Sequence, residues 1–114
     1  MSKRPVMLLL DDILGALKNI EAYSAGLEAE AFEKDGKTVD AVVRNLEVVG
    51  EASSRLPREF QQKHPEIEWH KIIGLRHRIV HDYFGIDLKI VWQILQHDLK
   101  SFRKSMEKIR AGNP

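Results

Sequence analysis

The chain has 114 residues, 43% of them hydrophobic and 31% charged, with a formal net charge of +1 and no cysteine. That balance predicts one soluble globular domain spanning 1–114, able to bury roughly two thirds of its unfolded-chain surface, and it argues against a disordered chain or one drawn to nucleic acid by bulk charge. Without cysteine, disulfides, thiolate catalysis and cysteine-zinc sites are excluded; no run approaches the ~20 apolar residues of a membrane span, and Asp11 and Asp12 cut the apolar stretch 6–10 too short for a secretory signal, so the cytoplasm is the expected compartment.

Leu10, Ile13, Leu17, Ile20, Tyr23 and Leu27 recur at steps of three and four, the period of a helix with one buried stripe. They predict a first helix from about Pro5 to about Gly26. A short helical piece from Glu28 to Lys34 follows, before Asp35 and Gly36 mark a turn. Val39, Val42, Leu46, Val49 and Leu56 predict a second long helix from about Lys37 to Leu56, closed by Pro57. Its polar side carries Arg44, Glu47, Glu51 and Arg55. These read as a solvated ion ladder worth about 0.2–0.5 kcal/mol per pair; a weaker reading has Glu51 orienting an arginine further along the chain.

One more helical turn is expected over Arg58 to Lys63, interrupted at His64 and Pro65. Pro65 and Glu66 suit the start of the next helix, by fixed φ and by the N-terminal dipole. Ile72, Ile73, Leu75, Ile79 and Val80 predict its apolar face, from about Trp69 to Tyr83, with Gly85 and Asp87 turning the chain. Leu88, Trp92, Leu95, Leu99, Phe102, Met106 and Ile109 form a heptad in the last helix, which stops at Ala111 and Gly112. No strand-period run or repeat is present. The pattern predicts an all-α fold, an antiparallel up-and-down bundle of four to five helices.

One stretch, 74–87, departs from ordinary amphipathic helix. It gathers Arg76, His77, Arg78, His81, Asp82 and Tyr83, and from Trp69 to His81 there is no carboxylate. His70, His77 and His81 would share a face on a straight helix, and His-x3-His is a usable zinc pair. Lys71, Arg76 and Arg78 would repel a dication there, so no metal is expected. His64, His70 and His97 read as surface residues. Phosphodiester chemistry fits better. Cleaving RNA takes a base for the 2′-hydroxyl proton, an acid for the leaving 5′-oxygen and a cation on the developing phosphorane. Histidine can supply the first two and arginine the third. Arg76 and His81 stand five apart, about 140° around an ideal helix. Either the helix ends between them or a second chain completes the site.

Arg76-x4-His81-x-Tyr83 resembles the Arg-x4-His-x-Tyr signature of HEPN-domain proteins, in particular the HepT-like toxins, with His77 at the usual polar position after the arginine. Segments 45–52 and 65–69 are similar to other segments of that family, and the resemblance runs from Leu8 to about Leu99. It implies a HEPN-like helical bundle and a homodimer, or higher homo-oligomer, with a composite cleft on its dyad. It also implies a metal-independent endoribonuclease acting on RNA without a cofactor. Arg76 would stabilise the transition-state phosphate and His81 would be the acid/base. His77, Arg78 and Asp82 would orient His81 or contact RNA. The implied partner is a minimal (MNT-type) nucleotidyltransferase antitoxin that transfers AMP to Tyr83, placing bulk and negative charge beside Arg76. The alternative is a non-catalytic nucleotide- or RNA-binding helper subunit of such a nucleotidyltransferase.

Overall fold

A computed structural model describes residues 4–80 and 85–112. Helix α1, Val6–Ser24, buries Leu9, Leu10, Ile13, Leu17 and Ile20. It lies between α3, Gly36–Arg55, and α8, Leu99–Ala111. Glu21 of α1 pairs with Arg103 and Asp11 with Arg110, so α1 and α8 run antiparallel. The short α2, Ala29–Lys34, carries Phe32 fully into the core, its ring centroid 5.3 Å from that of Trp92. After α4, Arg58–Lys63, come α5, Trp69–Ile73, and α6, Leu75–Ile79. The last rod begins as α7, Leu88–Gln93, passes through a π-helical turn, Ile94–Asp98, and continues as α8. The fold is the all-α bundle that the periodicity predicts, with one core of aliphatic residues shared by the long helices.

Helix α3 starts where Asp35 caps it. The Asp35 carboxylate accepts from the Thr38 hydroxyl at 2.8 Å and from the Thr38 backbone N–H at 3.1 Å, filling donors that the first turn leaves open. The hydroxyl contact first, and the backbone contact second, hold this carboxyl below its ordinary pKa. A lowered folded-state pKa gives stability that is present at neutral pH and lost as acid is added. In thermal melts the advantage of wild type over Asp35→Ala should therefore begin to shrink near the unfolded aspartate value of about 3.9. It should vanish only below the lowered value.

Three details of the central region differ from the pattern. The helix expected to begin at Pro65 and Glu66 begins at Trp69, because the indole N–H is drawn back to the carbonyls of Gln61 and His64, both at 3.1 Å. Ile67, 7% exposed, anchors the intervening turn. The single helix expected over Trp69–Tyr83 is broken at Gly74, where a side chain would stand 2.9 Å from the His70 carbonyl. It then ends at Ile79: Val80 is extended and bridges Ile86, the Asp87 N–H donates to the Ile79 carbonyl at 2.7 Å, and Gly85 turns at a φ of +107°. Ile73 and Val80 are accordingly exposed rather than core, as is Tyr23 at the end of α1.

Candidate functional site

Helix α6 is five residues long, and its two ends of the buried stripe, Leu75 and Ile79, are almost fully enclosed. Between them Arg76 and His77 are exposed and Arg78 is half-buried. Arg76 and Arg78 stand about 200° apart around the helix, so they look in opposite directions. Arg76 and His77 open on a groove of about 650 Å³ between the start of α1, the outer face of α3 and the α5–α6 junction. Arg78 turns the other way, onto Asp98 at the end of the π-helical turn, 2.6 Å from it.

The groove is edged by the ladder on α3. Arg44 and Arg55 stand eleven residues apart, three turns and about 20° off register, so one face presents both with Glu47 and Glu51 between. Arg44 reaches Glu47 at 4.0 Å and Arg55 reaches Glu51 at 3.1 Å. Across the groove Arg4 forks onto Asp12, at 2.6 and 2.9 Å, a contact that raises the Arg4 pKa. Each groove carboxylate therefore has an arginine of its own. Arg76 has no ion-pair partner among the described residues and lies exposed at the groove. Glu51 is committed to Arg55 on its own helix, as the ion-ladder reading expects.

His81, Asp82 and Tyr83 lie outside the described residues. Helix α6, five residues long from its start at Leu75, ends at Ile79, short of position 81. His70 sits on α5 and His77 on α6, beyond the break at Gly74. Among the described residues no three His, Asp or Glu side chains gather as metal ligands. Arg78, expected to contact RNA or orient His81, is occupied by Asp98. Asp98 carries no sequence signal of this role: it lies twenty residues away in a helix whose heptad does not show the π-helical turn. Among the described residues no helix is long and apolar enough to cross a membrane.

A profile of the family described as Ribonuclease HepT-like matches residues 13–109. A chain from Thermococcus cleftensis, named a probable ribonuclease HepT, is 39% identical over 89% of this chain and 92% of its own length. Two further relatives are named as candidate RNases. One, from Methanocaldococcus jannaschii, is 38% identical over 96% of this chain and 90% of its own. The other, from Caldanaerobacter subterraneus, is 37% identical over 88% and 89%. No solved structure matches the chain significantly.

Proposed function

The chain belongs to the HepT-like ribonuclease family, and from that premise we propose that it is a metal-independent endoribonuclease whose reacting groups are Arg76 and His81. The observation that carries the reading is Arg76 itself. It is an unpaired guanidinium among the described residues, set on a helix whose own anchors are buried, at the edge of a groove with room for a nucleotide.

The chemistry follows from those two groups. An imidazole takes the proton of the 2′-hydroxyl, and the freed oxygen attacks the adjacent phosphorus. A five-coordinate phosphorane forms, with excess negative charge on its non-bridging oxygens. The guanidinium of Arg76 stabilises that charge through two parallel hydrogen bonds. An imidazolium then protonates the departing 5′-oxygen, leaving a 2′,3′-cyclic phosphate and a new 5′-hydroxyl. One histidine cannot start the cycle both neutral and protonated, so a homodimer with two His81 on its dyad supplies base and acid together. The protein acts in the cytoplasm as the toxin of a pair. Its antitoxin, a minimal nucleotidyltransferase, moves AMP from ATP to the Tyr83 hydroxyl with release of pyrophosphate. An adenylyl phosphate two residues from His81 would then compete for the anion site of Arg76.

The test is direct. Purified protein incubated with single-stranded RNA of mixed sequence should cut it in excess EDTA, giving cyclic-phosphate ends. Intact RNA after prolonged incubation with folded protein would overturn the proposal.

A further inference from the structure

We propose that Asp98, acting through Arg78, is a positioning residue that sets the roll of α6 and so keeps Arg76 turned into the groove. The inference rests on the ribonuclease reading for its catalytic consequence, but not for the clamp itself.

A helix of five residues has little stability of its own and takes its orientation from what holds it. Leu75 and Ile79 bury one narrow stripe that already limits rolling about the helix axis, and the Val80–Ile86 bridge and the Asp87 N–H on the Ile79 carbonyl tie down the C-terminal end. The Arg78–Asp98 contact adds a directional tie on the side away from the groove. Arg78 Nη1 and Asp98 Oδ2 lie 2.6 Å apart, both sealed from solvent. The contact is a close charge pair rather than a straight hydrogen bond, and neither atom has another hydrogen-bond partner among the described residues. Separating them would cost those two enclosed atoms their charge partner, a penalty moderated by side chains that remain 35% and 29% exposed. Because Arg76 and Arg78 share one short helix, a roll that carries Arg78 well away from Asp98 carries Arg76 through the same angle, away from its place at the groove.

The other end of the clamp is built into an irregularity. Asp98 is the last residue of the π-helical turn Ile94–Asp98, the one departure from α geometry in the rod Leu88–Ala111. Such turns insert an extra residue and recur at functional sites. One residue more or less turns everything beyond it by about 100°. Asp98 closes that turn, so the irregular backbone there sets the direction in which its carboxylate leaves the rod toward Arg78.

The experiment uses the full chain and two readouts. Asp98→Asn and Arg78→Gln should lower kcat for RNA cleavage by about tenfold to a hundredfold, with KM nearly unchanged. Asp98→Glu, which keeps the charge, should recover most of that loss. Hydrogen exchange of backbone amides 75–80 should quicken in Asp98→Asn while α1 and α3 keep wild-type rates. A lower melting temperature with unchanged kcat in the folded variants would reduce the pair to a structural contact and overturn the proposal. If the wild type cuts no RNA, the exchange arm still decides: unaltered rates over 75–80 in Asp98→Asn would end the clamp, and locally faster rates would sustain it without the nuclease. Should Asp98→Asn fail to fold, Arg78→Lys, which keeps the charge on a shorter reach, gives the same two readouts.

Discussion

Arg76→Ala is expected to reduce RNA cleavage in EDTA by about a thousandfold or more while the protein melts within a degree or two of wild type. The size follows from the role. Removing a single preorganised donor from a developing oxyanion costs about 10²–10³ in rate, and a guanidinium on a phosphoryl transition state is worth about 10³–10⁵. The small thermal effect follows from placement: Arg76 is exposed and has no ion-pair partner among the described residues, so its loss breaks no ion pair among them. Arg76→Lys should restore only part of the activity, since an ammonium carries the charge without the planar fork. His81→Ala should cost a comparable factor, about 10²–10⁴, through loss of proton transfer. Cleavage by Arg76→Ala at wild-type rate would remove the central residue of the mechanism. Cleavage by wild type that stops on adding EDTA would replace the mechanism with a metal-dependent one.

The second large effect belongs to stability. Gly50→Val is expected to destabilise the domain by about 1–3 kcal/mol. Gly50 is buried on the face of α3 that meets α5, and an added Cβ would stand 3.2 Å from the Ile72 carbonyl and 3.5 Å from that of Ile73. Those are backbone atoms at the end of α5, immediately before the Gly74 break, so they cannot rotate aside as a flexible side chain would. The strain is relieved only by moving α5, and α6 with it. Activity should therefore fall further than the folded fraction does. Gly15 supplies the control. It is exposed on α1 with nothing within 4 Å of an added Cβ, so Gly15→Ala should stabilise by about 0.5–1 kcal/mol through helix propensity alone. Equal tolerance of the two substitutions would show that α3 and α5 do not pack as closely as described.

The two residues illustrate what a sequence reveals. Both are glycines inside predicted helices, and nothing local distinguishes them; only the approach of α5 to α3 makes one of them indispensable. The same holds for the apolar residues. Ile72, Leu75 and Ile79 are core, as their spacing predicts, whereas Ile73 borders the groove and Val80 leaves the helix to bridge Ile86. Hydrophobicity marks which residues favour burial, but the partner that covers them comes from elsewhere in the chain. The start of α5 repeats the lesson. Pro65 and Glu66 are sound helix-start residues, yet the Trp69 indole, held by two carbonyls of the α4 region, sets the boundary four residues later.

By itself the sequence determined the all-α class, the extents of α1, α3 and the final rod, and the motif positions Arg76, His81 and Tyr83. These are carried by short-range periodicity and by residue chemistry at fixed spacing, which need no knowledge of distant contacts. Only the tertiary structure decided that α6 ends at Ile79, that Arg76 faces a groove lined by α3, and that Arg78 turns away to Asp98. The first depends on contacts six and eight residues along, Val80 with Ile86 and Asp87 with Ile79, and the other two on encounters between segments twenty or more residues apart. Such encounters are fixed by the global packing of the helices, whose energies no window of neighbouring residues contains.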